Sequence, residues 1–420
     1  MKQLKDINGC DLYDHNFESA IKVVDSYLDE LDINIRSDNL NEDLPSLLFL
    51  IAFSFKHFKD QNRWLENFHK SLELINALIK QNMIHLGFFG GLSDIAYSIE
   101  IINRQTGNYK NLLTKLNGAI CNYAGSMLSN SSCDYRMSYY DAISGLSGVG
   151  YYMLCSRNVE RSNPINQQIS DYFVHSIDLR SIHEHELPNC FIAYDKQDRL
   201  LESRRLPTGH LNFGISHGIA GIFAYLVKSK SELRSSSSID KTISFYLDIF
   251  NTFKIMDPLG YSIWPSMIDL SSFISQDIPE TFLSKRISWC YGNISILRLL
   301  YLFYSNTNDT DNTNVILNEL KHLANVSMDN YLLESPMVCH GYSGLLLIFN
   351  ALLKETKDKV FLYKTNLLIE KILTYKSNNE TNYFKNIEHT NGFLEGDPGI
   401  IISLLNALDY TNDAIKHLML

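Results

Sequence analysis

Three short stretches set soft or titratable side chains just ahead of a glycine: SWCYGNIS (288–295), VCHGYSG (338–344) and SHGIAG (216–221). A lone Cys-His pair is most simply a small buried thiol beside a helix-starting histidine. A second cysteine at almost the same distance from its own glycine makes a shared role worth deriving. Thiolate and imidazole are the ligands zinc prefers, and three protein ligands leave one tetrahedral position open, as in catalytic sites. Sulfur disfavours Mg²⁺ and Ca²⁺, and a nearby helix N-terminus lowers a thiol pKa. Cys290, Cys339 and His340 are therefore candidate ligands for one Zn²⁺ per chain. No CxxC anchors the set, so its convergence depends on the elements that carry it.

Those elements repeat. Six segments share the form Gly-x-x-small-apolar: GLSDIAYSI from Gly91, GLSGVGYYML from Gly145, GIAGIFAYL from Gly218, GNISILRLLYLF from Gly292, GYSGLLLIFNALL from Gly341 and GDPGIIISLLNAL from Gly396. LPSLLFLIAF is a weaker seventh copy without the glycines. The run Leu345 to Phe349 leaves no polar face, so its helix must be buried all round. Amphipathic stretches alternate with these. In NRWLENFHKSLELINALIK, Trp64, Phe68, Leu72, Ile75 and Ile79 form one stripe, with Glu66 and Lys70 on the surface at i,i+4 spacing. NVILNELKHLANV behaves likewise through Ile316, Leu320 and Leu323.

Each unit thus reads as an outer amphipathic helix plus an inner buried one, repeated about seven times. Inner helices without a solvent face favour closure, so the expected fold is all-α: an α/α toroid, a double ring of helical hairpins. The organisation expected is one domain over residues 1–420. The gaps at 150–215 and 240–288 exceed what a hairpin needs, and the β-like PNCFIAYDK suggests a small inserted α+β lobe around 156–212. In a closed ring, equivalent positions face one end. The residues just before the glycines, His217, Tyr291, His340 and Glu395, together with Cys290 and Cys339 two before theirs, should then line one cavity.

Composition limits the function classes. The chain is 45% hydrophobic and 12% aromatic, as a large globular core requires. A formal net charge of −10, without a long Lys/Arg run, argues against nucleic acid as a partner. The opening MKQLKDINGC has no secretory pattern, and LPSLLFLIAFSF falls short of a membrane span, so no membrane anchor of its own and a cytoplasmic location are expected. Seven scattered cysteines do not suggest a disulfide framework.

The motifs WCYG, CHGYSG, SHGIAG and FLEGDPG, with YYDAISGLSGVGYYML and LPTGHLNFGISHGIAGI, resemble those of the lanthionine synthetase C family, the lantibiotic cyclases, along essentially the whole chain. The resemblance implies an α/α toroid, zinc held by Cys290, Cys339 and His340, and catalytic residues at Asp141, His217, Arg286 and Tyr291. Asn293 departs from the pattern where a glycine is common, Asp94 replaces a small residue, and the first repeat is degenerate. The implied reaction adds a precursor-peptide cysteine thiol to dehydroalanine or dehydrobutyrine, giving lanthionine or methyllanthionine. The implied partners are that dehydrated precursor, a dehydratase and an ABC exporter, which would hold the chain peripherally at the membrane within a biosynthetic complex.

Without the resemblance, Asp141 reads as a helix cap, Arg286 as a surface residue and Tyr291 as a core aromatic. The HEHE stretch (183–186) lacks the His-Glu-x-x-His spacing and reads as an exposed, inert loop. Cys10, Cys121, Cys133, Cys155 and Cys190 read as ordinary thiols. Two other functions remain to be weighed. A glycan-processing barrel would use Asp141, Glu395 or Asp397 as its carboxylates, but leaves the Cys/His set unexplained. A non-catalytic zinc-binding scaffold related to the cyclases would bind a peptide, a protein or glutathione.

Overall fold

The computed structural model describes residues 11–36, 43–81, 83–130, 135–198, 204–233, 236–377, 383–387, 392–409 and 411–420. Cys10 and Cys133 lie outside these. Among the described residues, fourteen helices of ten residues or more alternate between two rings. The outer ring holds α1 (Asp11–Arg36), α3 (Gln61–Lys80), α5 (Lys110–Asn130), α7 (Pro164–Val174), α9 (Ser237–Thr252), α11 (Thr310–Asn325) and α13 (Lys359–Leu373). The inner ring holds α2 (Leu44–Ser54), α4 (Leu92–Thr106), α6 (Leu146–Cys155), α8 (Ile219–Glu232), α10 (Asn293–Asn306), α12 (Tyr342–Thr356) and α14 (Asp397–Leu408). The chain is an α/α toroid.

Hydrophobic patterning sorts the helices into their rings. Every residue of α2 is buried, as is every residue of α12 from Tyr342 to Leu353. In α3 the side chains of Trp64, Asn67, Phe68, Ser71 and Ile75 are buried along one face, while Leu72 and Ile79 are half-buried against the core. Lys70, read as a surface residue, is half-buried and donates from Nζ to the Ile35 carbonyl at the end of α1, 2.7 Å away. A cation there complements the carbonyl end of a helix. Around the inner ring α2 packs on α4, α4 on α6, α6 on α8, α8 on α10, α12 on α14, and α14 back on α2, while α10 and α12 are joined through the turns before them, where Cys290 N–H donates to the Cys339 carbonyl.

All six repeat glycines are the N-caps of inner helices. The degenerate copy builds a complete inner helix too, with Asp43 capping α2 through the Ser46 N–H at 3.3 Å. Close approach explains the glycine. A Cβ on Gly292 would stand 2.6 Å from the Ser288 carbonyl oxygen and 2.7 Å from its nitrogen. The backbone doubles back tightly before α4, α6, α8, α10 and α12, and only a hydrogen fits in each of those crooks.

A short helix, α15 (Asn412–His417), and the three residues after it lie inside the inner ring. The His417 ring stands 4.2–5.8 Å, centre to centre, from Phe49, Phe88, Phe89, Tyr97 and Phe393. The two long gaps carry the strands. A hairpin pairs β1 (Leu179–Ile182) with β2 (His185–Pro188), and β3 (His210–Asn212) pairs with β6 (Met267–Asp269), while β4 (Ile255–Met256) pairs with β5 (Ser262–Ile263). The hairpin lies just upstream of most of PNCFIAYDK, where only Ile192 bridges to His210. Pro188 lacks an N–H and ends the ladder. HEHE is exposed, but only His183 and Glu184, both at positive φ, form the hairpin tip; His185 and Glu186 open β2 where a loop was expected.

Candidate metal and catalytic site

The tight turns before the inner helices are stitched together in ring order. Phe88 N–H donates to the Ile143 carbonyl at 3.1 Å, Ala142 to Ser216 at 2.9 Å, Ile215 to Cys290 at 3.1 Å, Cys290 to Cys339 at 3.1 Å and Cys339 to Leu394 at 2.8 Å. Phe393 N–H then reaches the Ser46 hydroxyl, 2.9 Å away, at the start of α2. This continuous band holds every pre-glycine turn at one end of the toroid. The register read from sequence therefore becomes a surface, the wall of a cavity of about 780 Å³.

His217, Tyr291, His340, Glu395, Cys290 and Cys339 all line that cavity. The Cys290 and Cys339 sulfurs and a ring nitrogen of His340 lie within 4.8 Å of one another, and among the described residues this is the group of three placed to hold a metal. Ligand atoms around a tetrahedral zinc stand roughly 3.3–3.8 Å apart, given its bond lengths, so small side-chain rotations bring this set to zinc geometry. The donor chemistry fits as well. Cys339 hydrogen-bonding to its thiol draws Cys290 well below the ordinary value of 9.0, against the upward push of burial, and the His340 ring adds to the lowering. Burial pushes Cys155 up to about 11 and Cys190 up to about 12. Those two remain protonated thiols, Cys190 in the core and Cys155 half-buried against it.

Asp141 lies behind the cavity wall, 3% exposed, and performs two tasks. Its Oδ1 accepts from the N–H groups of Ser144 at 2.8 Å and Gly145 at 2.7 Å. Its Oδ2 stands 2.7 Å from His217 Nδ1. Gly145, not Asp141, is the N-cap of α6, so the helix-cap expectation does not hold: one oxygen of Asp141 ties the turn before the helix and the other faces His217. Because a carboxylate accepts, Nδ1 carries the hydrogen, and Nε2 is the basic nitrogen of the neutral ring. The Tyr140 hydroxyl also donates to the His217 carbonyl at 3.2 Å, bracing the backbone.

Arg286 is exposed and lines the cavity. Tyr291 is half-buried and accepts a hydrogen bond from Asn212 Nδ2 at 2.9 Å. Its backbone carbonyl accepts from the hydroxyls of Ser288 at 2.8 Å and Ser284 at 3.1 Å. The rest of the lining is mixed: Phe89, Ile143, Met267, Leu283, Phe393 and Leu394 supply its apolar part, beside Asp43, Lys285 and several serines. Met267 and Leu283 come from the long segment between α9 and α10, which the sequence marks only as too long for a hairpin. Asn212 and Ser288 carry no signal of their own beyond lying within or beside the glycine motifs.

Asp397, a carboxylate of the glycan-processing alternative, is committed elsewhere. It is buried and accepts from the Tyr383 and Phe384 N–H groups at 3.3 and 3.2 Å. Among the described residues, no helix is long and apolar enough to cross a membrane.

Comparison with known proteins agrees with this architecture. A curated relative, the nisin biosynthesis protein NisC of Lactococcus lactis subsp. lactis, is 26% identical over 385 residues, covering 89% of this chain and 85% of that protein. The solved structure of a nisin cyclase matches with a TM-score of 0.79 at 21% identity, over 94% of this chain and 96% of the other, and shares the fold. The sequence model described as lanthionine synthetase C-like protein matches residues 15–420, so the chain belongs to the lanthionine synthetase C-like family.

Proposed function

We propose that this chain closes lanthionine and methyllanthionine rings in a dehydrated precursor peptide, with one zinc ion held by Cys290, Cys339 and His340. The observation that carries the reading is the Cys/His group facing a cavity that also holds the Asp141-backed His217. The name of its relative, a nisin biosynthesis protein, supports the same class of chemistry. A free thiol of pKa about 8.5 is mostly protonated near neutrality. Zinc bound by this set supplies a deprotonated, still nucleophilic substrate sulfur, since two protein thiolates already offset its charge.

The remaining work falls to the chain's own residues. A carbon–sulfur bond forms at the β-carbon of the dehydro residue, the double bond becomes an enolate, and a proton arrives at the α-carbon. His217 takes or returns that proton at Nε2, with Asp141 holding the ring in the required tautomer. Arg286 stabilises the negative charge that develops on the enolate oxygen. Tyr291 stands on the same wall as a proton donor. Phe89, Met267 and Phe393 limit water around the reacting carbon and strengthen these electrostatic contacts.

Thiol addition leaves mass unchanged, so alkylation of free thiols reads it directly. A dehydrated candidate precursor should lose alkylatable thiols on incubation with the enzyme; undiminished thiol would overturn the cyclase reading and favour the scaffold. Metal analysis tests the ligand set: one zinc per chain is expected, and a Cys290→Ala, Cys339→Ala double variant that keeps its zinc removes the site. The upstream dehydratase and the exporter are the expected partners, and co-purification at low salt tests for a cytoplasmic complex at the membrane. We assign the whole chain to one catalytic domain; within the segment around 156–212 expected as a lobe, α7 belongs to the outer ring, and the part inserted between ring helices is the stretch after it, which carries the β1–β2 hairpin.

A further inference from the structure

We infer that Asn212 is a positioning residue that sets the polarity of the Tyr291 hydroxyl, keeping its proton available to the cavity. The inference rests on the cyclase reading above and adds a residue to it. Asn212 ends β3, is fully buried, and sits beneath the turn that carries His217. A side-chain amide can be placed either way round, and here the neighbours decide. Gly214 N–H points at Oδ1 from 2.9 Å, and a backbone N–H can only donate. That edge of the amide must therefore be the oxygen.

The consequence falls on Tyr291. The NH₂ edge of Asn212 faces its hydroxyl at 2.9 Å, and an amide nitrogen can only donate. The phenol oxygen is thus the acceptor in this bond, and its own hydrogen goes to an acceptor other than Asn212. Tyr291 lines the cavity, so that hydrogen can be offered to the developing enolate. Had an aspartate stood at 212, the phenol would donate to it and its proton would turn away from the cavity. The single amide thus ties the Gly214 turn, on the His217 side, to the orientation of the proton on Tyr291.

Asn212→Asp is the discriminating substitution. It keeps the shape and the acceptor for Gly214 N–H, and it reverses the bond to Tyr291. The expected result is a kcat at least about 10-fold lower, a modest share of what positioned proton transfer contributes, with KM within about twofold and zinc content unchanged. In a Tyr291→Phe background the same substitution should cost nothing further, since the two residues act through one proton. A merely structural role would give additive losses. Asn212→Ala, which removes the donor without adding a buried charge, tests the same coupling if the aspartate variant does not fold. Wild-type kcat in Asn212→Asp, in Tyr291→Phe, or losses that add would overturn the inference. A wild-type enzyme that consumes no thiol would instead overturn the cyclase reading, and this inference with it.

Discussion

At the scale of single residues, the proposed function divides metal holding from proton handling, and two substitutions separate these tasks. His217→Asn should retain zinc and helix content while ring closure slows by about 10²- to 10⁴-fold, the usual worth of a positioned acid or base; single-turnover alkylation assays check it. Asp141→Asn is a finer test. The amide oxygen can still hold the turn before α6 through the Ser144 and Gly145 N–H groups, but the amide nitrogen then faces His217 Nδ1. That would place the ring proton on Nε2 and remove the base. A loss of similar order, with an unchanged far-UV spectrum, is expected, because a wrong tautomer costs about as much as a missing base. The Cys290, Cys339 and His340 set was legible in the sequence because soft ligands at a repeated register are a sparse pattern. Asn212 was not, since a buried asparagine has no distinguishing neighbours until the chain is folded.

At the scale of elements, the recurring unit is the crook before each inner helix. Gly292→Ala would drive a Cβ against Ser288 and the Arg286 carbonyl oxygen, 2.8 Å away, shifting Cys290 and Tyr291 together. We expect a loss of about 1–3 kcal/mol in urea unfolding, typical of overpacking, accompanied by weaker zinc retention. A second element-level device is Asp397 in the first turn of α14. Burial pushes it up to about 7, while the N–H groups of Tyr383 and Phe384 pull it the other way. Its folded pKa is raised above the ordinary 3.8, so the folded chain holds a proton that the unfolded chain has released. Its contribution to stability is fully present below about pH 4 and declines as pH rises through about 7. Asp397→Asn should therefore gain stability relative to wild type as pH rises from 5 to 8; denaturation at both pH values checks it, and an unchanging difference would refute it.

At the scale of the whole molecule, the centre of the inner ring is occupied by the segment around His417. Its Nε2 donates to the Phe88 carbonyl at 3.0 Å and lies 3.3 Å from the carboxylate of Asp94, with both side chains fully buried. Asp94, the departure from the small-residue pattern, is thus paired across the axis instead of being a packing defect. Nearby, the Trp289 indole donates to the Leu418 carbonyl at 3.0 Å, one residue from Cys290. His417→Ala should leave a void among five aromatic rings and deprive Asp94 of its neighbour. A destabilisation of about 2–4 kcal/mol is expected, within the range for emptying a packed core site, and calorimetry would measure it.

The sequence by itself determined the helical repeat, the sorting into inner and outer helices and the identity of the pre-glycine wall. Those features follow from periodicity and from residue types that few environments tolerate. Tertiary structure alone decided what lies opposite what. The two oxygens of Asp141 serve different partners because two turns 73 residues apart in sequence are stitched side by side. Met267 reaches the cavity because β6 pairs with β3, and Leu283 because it bridges to Pro265 just before β6. Asp94 meets His417 because the ring closes around its own C-terminal segment. Each is a long-range juxtaposition set by ring closure and chain path, and no local propensity encodes it.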